Sequence, residues 1–296
     1  CVHIGNLLRT GKYTETRLLH GGYAELRQYV TLHERLKGDA RRQKILIRNI
    51  AGQLFPELPR VFKDLAGETA LAMLRSHAAA VTPRNKSQDR FITDVRADFR
   101  GRRLQVAKLR RVHVLAERSV GLKDGTEALQ LALRTHIETL QVLQQQLEEI
   151  RAAQVDTFLA LPQSDYLLSV PGLGVITAAK ILSEIGDPSN YTSSRQLVKL
   201  AGTQPVPNTS GRKTRSKTPM SHKGRPRLRT ALFFAVMRLV QVDETFARDY
   251  LHLQTREKNP LTKMQALGVL MNKLLRILWA LMQNRTFYSP GFSGTA

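Results

Sequence analysis

The 296 residues carry 46 Lys and Arg against 24 Asp and Glu, a net charge of +22, and 42% of them are hydrophobic. That apolar share supports packed cores rather than a disordered chain, and the length suits two domains. The charge points to a polyanionic partner, because so large an excess repels itself unless phosphates neutralise it. The chain opens on Cys1, its one cysteine, which excludes an internal disulfide and a multi-cysteine zinc site. Residues 1–15 lack the basic, apolar and small-residue regions of a signal peptide. No run of about 18 uncharged apolar residues follows, so a cytoplasmic protein with no membrane partner is expected. An opening Cys in place of Met leads us to expect that an N-terminal part is missing.

From Ala24 to Phe55 the sequence predicts one long helix. Leu26, Val30, His33, Leu36, Ile47, Ile50 and Leu54 fall near helical spacing, with no proline before Pro56. Its other face carries Arg35, Lys37, Arg41, Arg42, Lys44 and Arg48, a pattern that usually marks a solvated surface. Residues 56–103 read as shorter helices punctuated by Pro56, Pro59 and Pro83. A second long helix is predicted over 124–158, where Leu133, Ile137, Leu140, Leu147 and Ile150 trace a coiled-coil seam that turns polar at Gln144. Paired antiparallel, the two would form an arm over 24–160, preceded by a short segment, 1–23, and followed by a compact domain over 161–296. That domain opens with Pro171-Gly172-Leu173-Gly174 before an apolar helical pattern from Val175 to Ile185, the spacing of a helix-hairpin-helix. Gly172 and Gly174 would let the backbone turn tightly and present the next helix's N–H groups to a phosphate. A plain helix–helix turn needs glycines for the same steric reason. The domain closes with an amphipathic helix over 261–282, in which Trp279 reads as core rather than as a base-stacking platform. Strand signals are scarce, so the expected fold class is mainly α.

Residues 205–229 hold eight basic side chains and no acidic one: Arg212, Lys213, Arg215, Lys217, Lys223, Arg225, Arg227 and Arg229. Solvated surfaces mix signs and this stretch does not, which favours contact with nucleic-acid phosphates over a passive loop. Its prolines and glycines argue against a long regular helix across it. Ser210 lies inside this run, before Gly211. Taken alone, such a serine reads as a turn residue. No neighbouring His or Asp completes a hydrolase pattern, and His222 reads as a surface residue.

The run from Val170 to Val236 resembles the C-terminal domain of the transposases named for insertion sequences 110, 116 and 902. Its most specific parts are the Pro171–Gly174 hairpin, Asn208-Thr209-Ser210-Gly211, and Lys223-Gly224 with Leu228-Arg229. Leu261–Tyr288 is similar to that family's closing helices, and Leu7–Leu58 to the helical region that follows its first domain. The resemblance implies a RuvC-like domain with a DEDD set of metal-binding carboxylates, a helical arm and this C-terminal domain. It places the family's DNA nucleophile at Ser210. It also implies magnesium, DNA and a structured element-encoded RNA as partners, a homo-oligomer, and a bacterial, DNA-associated setting. The family's last carboxylates lie immediately upstream of a segment like Ile4–Gly11, so the DEDD set is expected to be absent from this chain. Asp39, Asp94, Asp98 and Asp124 have no spacing that promises a two-metal site. The expectation is therefore a partial transposase with no cofactor of its own. In its complete form it would hold magnesium through the missing domain and cleave and rejoin DNA through a serine. A non-catalytic DNA- or RNA-binding remnant is the alternative, and a helical oligomerisation protein a third reading.

Overall fold

The computed structural model of the chain describes residues 2–11, 18–206, 209–210, 213–214 and 219–290. Among these residues the regular secondary structure is helical apart from one short ribbon, the mainly α class expected. In order it forms α1 (Val2–Arg9), α2 (Gly21–Leu54), α3 (Glu68–Ser76), α4 (Val81–Arg84), α5 (Gln88–Asp98), α6 (Val106–Ala116) and α7 (Glu127–Leu159). There follow α8 (Ser164–Leu168), α9 (Val175–Ile185), α10 (Ser194–Ala201), strands β1 (Thr209–Ser210) and β2 (Lys213–Thr214), α11 (Pro226–Val242), α12 (Glu244–Thr255) and α13 (Lys263–Asn284). The chain divides into two compact units: a terminal unit of residues 1–31 with 151–296, and an insert unit of residues 32–150. Both α2 and α7 contribute residues to each unit.

In the terminal unit α13 is the central helix, with Leu270, Leu274, Leu275, Ile277, Leu278 and Leu281 at most 1% exposed. A helix with so high an apolar content is either a core helix or a membrane span. Among the described residues α13 is the one helix long and apolar enough to cross a membrane. Here it packs against α10, α11 and α12, and its apolar side chains share a core with Ala178, Ile181 and Leu182 of α9 and Leu228, Leu232 and Val236 of α11. Burying each Leu or Ile side chain stabilises the unit by about 1.5–3 kcal/mol. The helix starts where Thr262 and Gln265 cap one another: Gln265 N donates to Thr262 Oγ1 and Thr262 N to Gln265 Oε1. Pro226 opens α11 at its first turn, where its missing N–H costs nothing. Trp279 is partly buried against this core, with its Nε1 donating to Tyr191 O at 3.4 Å.

The insert unit has its own core. Ala40, Ile47, Ala51 and Leu54 of α2 join Leu133, Ile137 and Leu140 of α7 around Phe55, Met73, Phe91 and Leu109. Within this unit the two long helices run antiparallel. His136 Nδ1 donates to Gln43 Oε1 at 2.8 Å, while Leu122 N, just before α7, donates to Gln53 O at 3.1 Å. Further along α7, Leu147 and Ile150 are half-buried and Gln144 is exposed. The fully buried polar side chain of α7 is instead Gln154, in the terminal unit, whose amide has no hydrogen-bond partner among the described residues.

Candidate nucleic-acid interface and serine site

The geometry around Ser210 begins at the end of α10. Gly202 closes that helix in the left-handed region (φ 68°, ψ 30°), a conformation that favours glycine. The chain then reverses into a ribbon. Val206 N donates to Pro219 O at 2.9 Å, Ser221 N to Gln204 O at 2.9 Å, and His222 N to Gly202 O at 3.0 Å, with Pro205 bridged to Met220. Farther out, β1 and β2 pair antiparallel, Thr209 opposite Thr214 and Ser210 opposite Lys213. Ser210 and Lys213 thus form the outermost described pair of the ribbon, with two residues of sequence between them. Asn208, Gly211, Arg212, Arg215 and Lys217 lie outside the described residues.

The base of the ribbon is closed by two glycines set back to back. A Cβ on Gly224 would lie 2.4 Å from Gly202 N and 2.5 Å from Leu200 O, and one on Gly202 would lie 3.0 Å from Gly224 N. The backbone then ties itself to α10: Arg225 N donates to Leu200 O at 2.8 Å, and the Arg229 guanidinium donates to Ala201 O at 2.9 Å. The Arg225 guanidinium also donates to the Glu184 carbonyl and lies 3.7 Å from the Glu184 carboxylate, while Arg27 approaches that carboxylate at 3.9 Å. Glu184 is 4% exposed, and a buried carboxylate stays ionised only if it is paired. Burial lowers the pKa of Arg225, as does Arg27 beside it, and Glu184 opposes the shift.

The run of basic residues therefore does not act as one surface. Arg225 and Arg229 are half-buried and hold the ribbon to the fold. Lys223 is exposed, and Arg227 is exposed with its guanidinium donating to Thr31 Oγ1 at 2.9 Å. Arg227 and Arg229 stand on α11, which begins inside the run at Pro226. Sequence reasoning misses Glu184, Arg27 and Gly202. The one carboxylate in the largely apolar stretch Val175–Ile185 is the available signal for Glu184.

A second surface of the unit is the turn from α8 to α9. Gly172 has φ 75°, and a Cβ there would meet Val242 Cγ2 at 2.8 Å and Arg238 Cγ at 3.0 Å, so α11 fixes the turn. Gly174 caps α9 with extended backbone and accepts from the N–H groups of Thr177 and Ala178. Pro171, Gly172 and Gly174 are exposed. The first N–H groups of a helix have no partner within it, so this end is suited to an anion.

Residues 164–251 match the family model described as Transposase IS116/IS110/IS902 family. The chain is 26% identical over 267 residues to a Streptomyces coelicolor protein described as the uncharacterized 43.6 kDa protein of insertion element IS110, covering 90% of this chain and 64% of that protein. It is 25% identical over 249 residues to the uncharacterized 44.8 kDa protein of insertion element IS116 from Streptomyces clavuligerus, covering 82% of this chain and 60% of the relative. A pilin gene-inverting protein of Moraxella bovis is 32% identical over 127 residues, 42% of this chain and 38% of that protein. The chain spans less than two thirds of the length of each of these relatives.

Proposed function

We propose, on the match of residues 164–251 to the IS116/IS110/IS902 transposase family, that this chain handles DNA in transposition and supplies the serine nucleophile, Ser210, of the complete recombinase. The observation that carries the reading is the ribbon. It sets Ser210 at its outermost described pair, opposite Lys213, on a base held by Gly202, Gly224, Arg225 and Arg229. In the reaction the Ser210 hydroxyl oxygen attacks a backbone phosphorus. An Oγ–P bond forms, the bond from phosphorus to one bridging sugar oxygen breaks, the serine proton passes to a base, and the departing oxygen takes up a proton. One phosphodiester replaces another, so the bond can be passed on to a second DNA end. Charge building on the phosphoryl oxygens is stabilised by the basic side chains that follow Ser210 in sequence: Arg212, Lys213, Arg215 and Lys217. Lys223 and Arg227, with the turn at Gly172 and Gly174, take further backbone phosphates in the manner of a helix-hairpin-helix.

Magnesium is part of this reading only through carboxylates outside the chain. Among the described residues no group of three or more His, Cys, Asp or Glu side chains could hold a metal ion, so these residues do not fit that role. The same observation favours a second reading, in which the chain binds DNA or RNA without chemistry. A structured element-encoded RNA and a homo-oligomer rest on the family resemblance alone. The test joins the chain to a RuvC-like domain and supplies the element's RNA and DNA. We expect Ser210→Ala to abolish a covalent protein–DNA adduct and Thr209→Ala to leave it detectable. An adduct mapped to Thr209, or one that survives Ser210→Ala, would overturn the serine assignment.

A further inference from the structure

The basic face of α2 is a feature that the serine ribbon does not account for. Within the insert unit, Lys37, Arg41, Lys44 and Arg48 follow a 4-3-4 spacing, and all four are exposed. At about 100° per residue they fall within roughly a 60° arc. Neighbouring cations are about 4.5–6 Å apart along the axis, and the row is about 16 Å long. The buried positions of the same stretch, Ala40, Ile47, Ala51 and Leu54, lie on a different side of the helix and enter the insert core. No acidic residue stands on the row between Lys37 and Arg48. The one carboxylate in this stretch, Asp39, is about 160° away from Arg41 and lies 3.6 Å from Arg42. No ion pair found among the described residues involves any of the four. A solvated face of a long helix normally interleaves signs at i,i+4, which stabilises it by a few tenths of a kcal/mol per pair. This face keeps four like charges in register at i,i+3 and i,i+4, where they repel one another.

We propose that this stripe is a second, sequence-independent docking surface for the phosphate backbone of double-stranded DNA. It is a different site from the ribbon and belongs to a different compact unit. One strand of a duplex presents a phosphate about every 3.4 Å of rise, so a rigid row about 16 Å long faces about five of them. The repulsion within the row is relieved when the phosphates arrive and their counterions are released. Single strands are a poorer match, because their binding relies on aromatic side chains on which bases stack, and residues 32–54 contain no Phe, Tyr or Trp. A membrane surface is a poorer match as well. A helix lying in a bilayer needs its apolar face free, and here that face is occupied by the insert core.

The inference rests on the nucleic-acid reading above for its choice of polyanion, and the experiment separates the two. The full chain is titrated with a 20-base-pair DNA duplex of arbitrary sequence, an RNA duplex of equal length, a single-stranded DNA of equal length, and phosphatidylserine vesicles, each over a range of salt. The stripe variant carries Lys37→Gln, Arg41→Gln, Lys44→Gln and Arg48→Gln. A control of equal charge change carries Arg60→Gln, Arg110→Gln, Arg111→Gln and Arg134→Gln, exposed positions scattered over the same unit. Circular dichroism establishes that both variants keep their helicity. We expect the salt slope of log affinity for B-DNA to become shallower in the stripe variant by about 0.9 per phosphate released, up to about 3.6, and in the control by clearly less. A stripe-variant loss confined to the RNA duplex would overturn the proposal. Equal losses in stripe and control, an unchanged slope in the stripe variant, or a loss confined to single strands or vesicles would overturn the proposal. If a ribbon variant carrying Arg212→Gln, Lys213→Gln and Arg215→Gln keeps full affinity while the stripe variant loses it, the stripe stands and the ribbon reading falls.

Discussion

Gly224 has no space for a side chain, and the reason is visible atom by atom. Its missing Cβ would sit against Gly202 N, Leu200 O and Ala201 C, all backbone that cannot swing aside. Gly224→Ala should therefore cost about 1–3 kcal/mol, the usual penalty of overpacking, and should loosen the base of the ribbon. Gly174→Ala is the contrast, because nothing lies within 4 Å of a Cβ there and its φ is −70°. That change should cost less than about 1 kcal/mol as a weakened N-cap. Urea unfolding of both variants checks the pair, and equal losses would contradict the back-to-back arrangement. The sequence marks Lys223-Gly224 as a motif but not its partner, because Gly202 lies 22 residues earlier and only the fold brings the two together. By charge alone, Arg225 and Arg229 read with the other basic residues as one phosphate surface. Their intramolecular bonds are set by α10 and by the buried Glu184, neither of which a charge count registers.

At the scale of elements, long helices are readable in the sequence and the ribbon is not. Helical periodicity places α9 at 175–185, and puts α2, α7 and α13 within a few residues of their observed ends. Strands of two residues have no period to read. β1 and β2 follow a ladder that starts at Gly202 and His222. The seam pattern also misplaces the polar position of α7. Gln144 faces solvent and Gln154 is buried, because which positions meet a neighbour depends on how the helix rotates along its length. Leaving the Gln154 amide unpaired costs about 1–3 kcal/mol. Ile137 is the sharper test of the insert core, being fully buried. Ile137→Asp removes what an Ile→Ala change removes, about 2–5 kcal/mol, and adds the burial of a carboxylate. Val142→Asp, at a position 56% exposed on the same helix, should stay within about 0.5 kcal/mol of the parent. Denaturation midpoints that moved alike in the two variants would show that residues 127–150 do not pack as described.

For the whole molecule, the +22 charge foretells a polyanionic partner but not how the charge is divided. Part of it is consumed inside the fold by Glu184 and by backbone carbonyls, part rides on the ribbon, and part lines α2. Among the described residues no group of three or more His, Cys, Asp or Glu side chains could hold a metal ion. The salt dependence of affinity for a nucleic acid reports directly on the phosphates that the protein neutralises. The decisive measurement is the affinity of the full chain for a B-DNA duplex from low to high salt, for the parent and for a variant carrying Arg212→Gln, Lys213→Gln and Arg215→Gln. If the ribbon holds backbone phosphates, the variant's slope of log affinity against log salt is shallower by about 0.9 for each phosphate it no longer neutralises, about 2.7 for all three. An unchanged slope, with the parent still binding, would contradict the placing of the DNA on the ribbon that carries Ser210.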